Sequence, residues 1–238
     1  MKYQTIKTTA VAALTVLVLA SSAMAQKAER GFTSIFNGKD LTGWAGRTNH
    51  WSVQDGCITG ITTKENPAQG NNFLISRDGD KNRIVGDFEL RLSFKFTGNW
   101  GNSGIQYRSV DKGNYVVHGY QADMETGQNY TGILYEEGGR GILATCGQKV
   151  VIKEKPEVVG TVGDEKELKA NIHPLEWNTY VILVKGNHLQ HFVNGKQIVD
   201  VVDEDAVKGA KEGILALQIH AGEPMKIQFK DIRIKTLK

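Results

Sequence analysis

The stretch FELRLSFKF, residues 88–96, contains the clearest fold signal in this chain. Its apolar side chains occupy every second position, and Glu89, Arg91, Ser93 and Lys95 stand between them. Successive side chains of an extended chain point to opposite faces. The alternation therefore predicts a β-strand with one buried face and one polar face.

Similar short runs recur along the chain, separated by Gly, Asn and Asp. The 238 residues include 27 Gly and only 4 Pro. Residues 177–202 predict three strands with turns at Gly186-Asn187 and Asn194-Gly195, and Asn-Gly is a favoured dipeptide of two-residue hairpins. Residues 213–221 and 225–237 predict two further strands. The pattern is typical of an all-β sandwich or barrel.

Residues 153–174 interrupt this pattern because they are polar and show few strand signals. We predict a long surface loop there, and loops of this length often serve as lids or binding loops. A long amphipathic helix is not indicated anywhere in the chain.

The first 25 residues have the three parts of a secretory signal peptide: two lysines, an apolar run at residues 10–20, and small residues before Ala25. The apolar run is shorter than the ~20 residues that span a bilayer, so no membrane span is predicted. We expect cleavage after Ala25 and a periplasmic or secreted protein. Residues 26–238 would then form a single β-sandwich domain.

Charge and cysteine content narrow the range of partners. Removing residues 1–25, which hold two lysines and no acid, lowers the formal net charge from +3 to +1. This balance gives no electrostatic reason to expect a nucleic-acid partner. Export would permit a disulfide between Cys57 and Cys146, but sequence alone leaves their pairing open. No metal or other cofactor is predicted, because zinc-type Cys/His spacing is absent.

The stretch GYQADMET, residues 119–126, places Gln121, Asp123 and Glu125 on one face of a predicted strand. Some glucanases carry their catalytic carboxylates at alternate positions of one strand, and a retaining glycosidase needs two carboxyls about 5–5.5 Å apart. Here the first position is Gln121, and a neutral amide cannot form the covalent glycosyl ester. The spacing favours a sugar-handling surface but not double displacement.

Two other predicted strands carry polar residues in the same alternating way. Asn102, Gln106 and Arg108 share one face, and Gln218 and His220 share another. Each set, taken alone, fits a solvated outer face equally well. Together, these amides and strong donors suit a hydroxyl-rich ligand better than plain solvent exposure.

The chain resembles the 3-keto-disaccharide hydrolase domain family over nearly all of residues 26–238. Many members read Gly-Tyr-Glu-Val-Gln where this chain reads Gly-Tyr-Gln-Ala-Asp at residues 119–123. The segments that carry the resemblance are, in order, FTSIFNGKDLTGW (32–44), WSVQDGCITG (51–60), NSGIQYRS (102–109), GYQADM (119–124), TGILYEEGGRG (131–141), EWNTYVILVKGNHLQHFVNG (176–195), GILALQIHAG (213–222) and IQFKDIRIK (227–235).

The resemblance implies a concanavalin-like jelly-roll β-sandwich of two curved antiparallel sheets, with the site on the concave sheet. It also implies bacterial export and cleavage of glycosides already oxidised to a ketone at sugar C3. Such a ketone acidifies the C2 hydrogen, so a base can remove it and the C1–oxygen bond can break by elimination. Water can then add back, which gives net hydrolysis without an attacking carboxylate.

We expect three catalytic residues for this chemistry. Asp123 is the general base, His220 is the acid or the donor to the enolate oxygen, and Arg108 holds the ketone or a neighbouring hydroxyl. The carbohydrate substrate is expected to contact Gln121, Gln218, Asn102, Tyr135, Glu136, Glu137, Arg140 and Trp100. Trp100 fits a stacking platform and a core position equally well, whereas Trp44, Trp51 and Trp177 fit the core.

A non-catalytic, lectin-like carbohydrate-binding module is the alternative function. It shares the expected fold and needs only amides and aromatic rings, whereas an enzyme needs an acid and a base that converge on one sugar ring. Arg108, Asp123 and His220 together favour the enzyme. A purely structural secreted domain would lack a deep polar cleft.

Overall fold

The computed structural model of the protein describes residues 29–238, so the predicted signal peptide and its cleavage point lie outside the described residues. Strands and one short helix follow each other along this part of the chain. Their bounds are β1 Thr33–Ser34, β2 Trp44–Ala45, β3 Trp51–Gln54, β4 Cys57–Ile61, β5 Asn72–Asp78, β6 Lys81–Asn82, β7 Ile84–Val85, β8 Phe88–Thr97, β9 Asn102–Asp111, β10 Val117–Glu125, β11 Leu134–Glu137, β12 Gly141–Ala144, β13 Gln148–Ile152, β14 Pro156–Thr161, α1 Glu165–Ala170, β15 Asn178–Lys185, β16 His188–Val193, β17 Lys196–Asp203, β18 Gly213–Ile219 and β19 Lys226–Thr236.

The strands form two sheets packed face to face. Sheet A has the order β14-β13-β17-β16-β15-β8-β19-β4-β3, with β1 on β19. Sheet B has the order β12-β11-β10-β9-β18-β5-β2, with β6 on β5 and β7 on β18. The pairs are antiparallel except β13 and β17, which run parallel. The predicted all-β jelly-roll sandwich is confirmed.

Strand β8 shows why the alternating pattern decides the fold. Phe88, Leu90, Leu92, Phe94 and Phe96 are all buried in the core between the sheets. Their strand lies near the middle of sheet A, between β15 and β19. Burying one such side chain stabilises a protein by about 1.5–3 kcal/mol, so this single strand contributes strongly to the sandwich.

Residues 153–174 contain a strand and a helix, so the prediction of a long surface loop was wrong. Strand β14 pairs only with β13 at the edge of sheet A, and all its residues are exposed. A strand without a buried face has no reason to alternate, which hid it in the sequence. Helix α1 begins after Asp164, whose side chain caps the N–H of Glu167. Within the described residues, no helix is long and apolar enough to cross a membrane.

The cysteines and three of the tryptophans lie as follows. Cys57 and Cys146 are both buried and both free thiols.

Trp44 and Trp51 belong to the core, as expected. Trp177 does not: it is half-buried, and a lysine side chain covers its ring.

The outer face of sheet B, which points away from the core, positions the candidate site. Gln121 on β10 stands opposite Gln106 on β9 and opposite Tyr135 on β11, so all three side chains share this face. The loop between β9 and β10 folds over part of the same face. Its Tyr115 packs on a small apolar cluster that includes Phe73. The polar part of the face is thereby bounded on one side.

Candidate active site

A cavity of about 250 Å³ opens on the outer face of sheet B. We call it the polar pocket. This volume lies below the usual range for drug-sized ligands, about 300–1,000 Å³, and suits a small ligand. The lining residues are Asn71, Asn102, Gln121, Asp123, Tyr130, Ile133, Tyr135, Glu137, Ile142 and His220.

Asp123 is a carboxyl group held inside the protein, with only 6% of the residue exposed. Its Oδ1 accepts the backbone N–H of Met124 at 2.9 Å and faces the amide of Gln121 at 3.4 Å. Burial raises the pKa of Asp123 well above its usual value, and the nearby carboxylates of Glu125 and Glu137 raise the pKa further. Asp123 therefore binds a proton more readily than a surface aspartate.

His220 lines the polar pocket just after β18 ends. Its Nδ1 lies 2.6 Å from the carbonyl oxygen of Ala221, and a carbonyl oxygen only accepts. Nδ1 therefore carries a hydrogen, and Nε2 is the ring nitrogen left for a ligand. The indole of Trp100 meets the imidazole edge-on, with ring centroids 6.4 Å apart. Trp100 thus contacts His220 but does not line the pocket, so the structure does not place it as a stacking platform there.

An amide network spans the floor of the site. Gln121 Oε1 accepts hydrogen bonds from the Nε2 groups of Gln106 and Gln218, at 2.5 and 2.9 Å. Gln218 Nε2 also donates to Glu137 at 3.0 Å, and Asn71 Nδ2 donates to the other oxygen of Glu137 at 3.0 Å. These bonds hold Gln121 and Glu137 in place from two strands, β9 and β18, and from the loop before β5.

Two buried amide oxygens in the described part of the chain have no hydrogen-bond partner, Asn102 Oδ1 and Gln218 Oε1. Gln218 cannot be reversed, because its nitrogen must face the acceptor-only carboxylate of Glu137. A buried acceptor without a partner costs about 1–3 kcal/mol. Hydroxyl groups of a ligand are suitable donors for such oxygens.

Glycine at position 104 makes room for the network. Gly104 on β9 stands opposite Asp123 on β10. A Cβ atom at Gly104 would lie 2.5 Å from the Cγ and Cδ atoms of Gln121. The side chain of Gln121 therefore leans across β9 only because residue 104 has none.

Glu125 shapes one wall of the pocket instead of lining it. Its carboxylate accepts the backbone N–H groups of Asn129 and Tyr130, at 2.8 and 3.0 Å. Two further backbone bonds tie the same loop to Asp123, one to its carbonyl and one from its N–H. The loop thereby carries Tyr130 and Ile133 to the pocket.

Arg108 does not share the pocket with Asp123 and His220, which corrects the expectation from alternation. Its backbone has a φ of +46°, a left-handed conformation that breaks the alternation on β9. The buried guanidinium instead donates to Asp87 and to the carbonyls of Gly86, Gly186 and Ala210. Four of its five N–H groups are used there, and we assign Arg108 a structural role.

Glu136 and Arg140 also lie away from the polar pocket. Glu136 stands opposite Tyr120 on the other face of β11, and its carboxylate pairs with Arg140 at 2.7 Å. Arg140 also pairs with Asp203 of sheet A at 2.7 Å. Of the two neighbouring glutamates, the structure therefore brings only Glu137 into the pocket.

The structure does bring together Asn102, Gln121, Asp123, Glu137 and His220, with Tyr135 beside them. Gln218 supports this group from below and is fully buried. Sequence reasoning missed the other lining residues, and no local pattern marked them: Asn71, Tyr130, Ile133 and Ile142.

Within residues 29–238, no three or more His, Cys, Asp or Glu side chains form a group that could hold a metal ion.

Comparisons with solved structures support the fold. A candidate glycosyl hydrolase from Parabacteroides distasonis is 21% identical, with a TM-score of 0.57, over 87% of this chain and 94% of that one. The carbohydrate binding module CBM66 from Bacillus subtilis is 13% identical, with a TM-score of 0.55, over 82% and 97%. A Bacillus subtilis protein of unknown function with a galectin-like fold is 10% identical, with a TM-score of 0.56, over 86% and 94%.

Sequence comparison identifies the family. No curated protein matches the chain significantly. The model of the 3-keto-alpha-glucoside-1,2-lyase-like domain matches residues 31–235, which is most of the chain. The resemblance drawn from the motifs is thereby confirmed. The chain belongs to the 3-keto-alpha-glucoside-1,2-lyase-like domain family.

Proposed function

We propose that this protein cleaves 3-keto glycosides by removing the C2 proton, eliminating the C1 substituent and adding water. The family match makes carbohydrate chemistry the starting point. The observation that carries the proposal is the pocket itself: Asp123 and His220 line one small cavity, and an amide stands at position 121. Such a site has an acid–base pair without the nucleophile of a displacing glycosidase.

The proposed reaction proceeds in three balanced steps. A base takes the C2 proton, and the C2–H electron pair forms the enolate of the C3 ketone. The ketone then re-forms as the C1–oxygen bond breaks, which leaves a C1–C2 double bond, and an acid protonates the departing oxygen. Water finally adds its hydroxyl to C1 and a proton to C2, which gives the free 3-keto sugar.

Asp123 is the proposed base. A carboxylate whose pKa is raised by burial is a stronger base in its ionised form than a surface aspartate. The hydrogen bonds from the Met124 N–H and the Gln121 amide both go to its Oδ1, which leaves the second oxygen available for a carbon-bound proton. Asp123 must lose its own proton before it can act as a base. Activity should therefore increase as the pH rises past the pKa of Asp123, which lies above the usual aspartate value.

His220 is the proposed acid. With Nδ1 donating to the Ala221 carbonyl, a protonated imidazole presents Nε2–H to the substrate. That group can stabilise the enolate oxygen or protonate the leaving oxygen. The unpartnered oxygen of Asn102, a residue that lines the pocket, is a proposed acceptor for a sugar hydroxyl. Arg108 has no part in this scheme because its donors are used elsewhere.

Export is a separate part of the proposal and rests on residues 1–25 alone. Their basic start, apolar run and small-residue end suit a signal peptide. Mass spectrometry of the protein purified from a bacterial periplasm should give a mature chain that begins at Gln26. A chain that still begins at Met1 would contradict export by this route.

The decisive experiment follows cleavage of a 3-keto disaccharide and of the same substrate with deuterium at C2. We expect sugar release that is slower for the deuterated substrate, because the C2–hydrogen bond breaks. Release at equal rates would exclude C2 proton abstraction as a slow step. The unoxidised disaccharide serves as the control and should not be cleaved.

A non-catalytic carbohydrate-binding module remains the second candidate, because the amide-rich floor suits binding without chemistry. The same protein preparation tests it by titration calorimetry. Tight binding of the 3-keto disaccharide with no release of sugar would favour the binding module over the enzyme.

A further inference from the structure

The proposed reaction needs two hydrogen-bond donors, because negative charge develops on two different oxygens. One is the C3 oxygen of the enolate, and the other is the C1 oxygen that departs. We propose that two residues divide these tasks: the Tyr135 hydroxyl protonates the departing C1 oxygen, and His220 stabilises the C3 oxygen. The inference rests on the proposed function, and it makes Tyr135 a catalytic residue instead of a contact residue.

Asp123 stands between the two donors on sheet B. The strands that carry these residues follow the order β11, β10, β9 and β18 across the sheet. Tyr135 lies on β11, Asp123 lies on β10, and His220 follows the end of β18. Neighbouring strands are about 4.7–4.9 Å apart, so the donors belong to strands about 14 Å apart, with the base on a strand between them. All three side chains line the polar pocket.

The same order holds along the direction of the strands. Tyr135 is paired with Gln121, which lies two residues before Asp123 on β10. The backbone N–H of His220 donates to the carbonyl of Asn102. Asn102 in turn stands opposite the residue that lies two positions after Asp123. The two donors therefore lie diagonally on opposite sides of the proposed base.

This arrangement matches the order of the reacting atoms in the sugar. Carbon C2 is bonded to C1 on one side and to C3 on the other. A base that reaches the C2 proton therefore has the departing C1 oxygen on one side and the C3 oxygen on the other. A central base with a donor on each side can serve all three positions of a single bound ring.

The surroundings decide which donor meets which oxygen. Beyond β11 the sheet ends at the edge strand β12, whose Ile142 is 47% exposed. His220 instead has the indole of Trp100 against its ring, and the sheet continues beyond β18 to β5 and β2. The departing group must reach solvent, so the C1 oxygen faces Tyr135 and the C3 oxygen faces His220.

The phenol of Tyr135 suits the protonation of an alkoxide. Burial raises the pKa of Tyr135, and the carboxylates of Glu137 and Asp123 raise this pKa further. The hydroxyl therefore keeps its proton at neutral pH until the reaction needs it. A departing sugar alkoxide is a stronger base than a phenolate, so the transfer from Tyr135 to the C1 oxygen is favourable.

Two other lining residues could carry a proton, but both are weaker choices. Glu137 already accepts an amide hydrogen bond on each carboxylate oxygen, at 3.0 Å, and so acts as an acceptor in the floor network. Tyr130 lies on a loop and is 44% exposed. Tyr135 is half-buried on a strand that is paired on both sides, which fixes its position better.

The cycle closes without another reagent. As the C1–oxygen bond breaks, the oxygen takes the proton of Tyr135, which leaves a phenolate, and Asp123 keeps the proton from C2. The hydroxyl of a water molecule then bonds to C1, and the remaining proton of that water returns to the phenolate. Asp123 finally returns its proton to C2. Both residues regain their starting states, so the same pair serves elimination and hydration.

The test uses two 3-keto glucosides that differ only in the departing group, methanol or 4-nitrophenol. Methoxide needs a proton to leave, whereas 4-nitrophenolate is a weak base and leaves without one. Tyr135→Phe should lower kcat for the methyl glucoside by about 10²-fold or more. It should leave kcat for the nitrophenyl glucoside near wild type, which also shows that the variant folds. His220→Gln should slow both substrates, because both pass through the enolate.

Deuterium at C2 gives a second readout. In Tyr135→Phe, cleavage of the C1–oxygen bond becomes the slow step for the methyl glucoside, so the isotope effect on kcat should shrink relative to wild type. In His220→Gln it should persist. Tyr115→Phe removes the same hydroxyl from a tyrosine outside the pocket, and this matched control should behave as wild type.

Three results would overturn the assignment: an equal loss on both substrates in Tyr135→Phe, wild-type kinetics on both, or an isotope effect that does not shrink. The same dependence on the departing group in Tyr130→Phe, without it in Tyr135→Phe, would give the task to Tyr130. Failure of the proposed function looks different, because the wild type would then release neither methanol nor 4-nitrophenol, and the assignment would fall with it.

Discussion

At position 121 the chain has an amide where a displacing glycosidase requires a carboxylate, and the structure gives this amide a different task. Gln121 accepts two amide hydrogen bonds and donates towards Asp123. It therefore orders the floor of the pocket beneath the buried carboxyl of Asp123, whose pKa is raised. In the proposed reaction, chemistry at this site depends on proton transfer and not on covalent attack.

Asp123→Asn should lower kcat on a 3-keto disaccharide by about 10²–10⁴-fold, the usual contribution of a general base. The same change should stabilise the protein at neutral pH. Because burial raises the pKa of Asp123 in the folded state, the folded protein binds more protons than the unfolded chain above the ordinary pKa of 3.8. Wild-type stability therefore falls as the pH rises from 3.8 to the raised pKa of Asp123 in the folded protein.

Denaturant unfolding of both proteins across the pH range measures this difference. The advantage of Asp123→Asn should shrink as the pH falls to 3.8 and disappear below it, because the wild-type carboxyl then becomes neutral in both states. A variant that keeps full activity, or that loses stability at neutral pH, would contradict the assignment. The isosteric amide keeps the acceptor for the Met124 N–H, so steric loss is a minor factor.

Arg108→Met should destabilise the fold and leave the chemistry intact. The guanidinium is 1% exposed and is the shared donor to three carbonyls and Asp87. The Asp87 side chain is 34% exposed and can be solvated, so the main loss is the donor to the three carbonyls. An unpartnered buried acceptor costs about 1–3 kcal/mol, and the unfolding free energy should fall by that order. Activity per folded molecule should stay near wild type. Full stability with a large drop in kcat would instead indicate that Arg108 takes part in the reaction.

At the scale of elements, the pairing of β9 with β10 builds the site. The register shift between His118 and Tyr120 coincides with the left-handed Arg108 on the partner strand. After this shift Ser109, and not Arg108, contacts the Gln106 side chain, at 2.8 Å. The bulge therefore removes a charge from the outer face and replaces it with a hydroxyl that orients the amide network.

Gly104→Ala tests this strand pair. The new methyl group would overlap the Gln121 side chain, so Gln121 must leave its bonds to Gln106 and Gln218. Overpacking of this kind costs about 1–3 kcal/mol of stability. We expect kcat/KM to fall about tenfold or more, because the pocket floor is disordered. Gly98→Ala would be a poor control, since its φ of +107° adds strain, whereas Gly86→Ala meets its nearest atom only at 3.8 Å and should be tolerated.

On the scale of the whole molecule, His191 connects the two sheets. It lies on β16 of sheet A, is fully buried, and its Nε2 is 2.9 Å from the hydroxyl of Tyr107 on sheet B. Its Nδ1 lies near the carbonyls of Gly132 and Ile133, at 3.1 and 3.2 Å. The complete burial lowers the pKa of His191 from 6.5 to about 4, so the folded protein keeps this imidazole neutral.

Stability should therefore decrease as the pH falls from about 6.5 to about 4, because the unfolded chain binds a proton there and the folded chain does not. The full effect of this one group is roughly 3 kcal/mol, at 1.36 kcal/mol per pKa unit. The measurement is the difference in unfolding free energy between wild type and His191→Gln at each pH. His173→Gln, at an exposed histidine, is the control. A difference that does not change with pH would contradict the prediction.

Much of the fold can be predicted from the local alternation of apolar and polar residues. Side chains of a strand return to the same face every two residues, whatever the rest of the fold. That rule predicted the core face of β8 and the shared face of Gln121 and Asp123. It also predicted that Gln218 and His220 face the same way, and both belong to the region of the polar pocket. The family motifs added the jelly-roll topology.

Other features depended on contacts between residues far apart in the chain, which no local period encodes. Arg108 left its expected face because of a bulge between paired strands, and Asn71 reached Glu137 across 66 positions. The choice of Glu137 over Glu136 followed from the register of β10 and β11. Strand register and loop approach are fixed by the packing of the whole sandwich, so only the assembled fold could specify which polar side chains meet in one cavity.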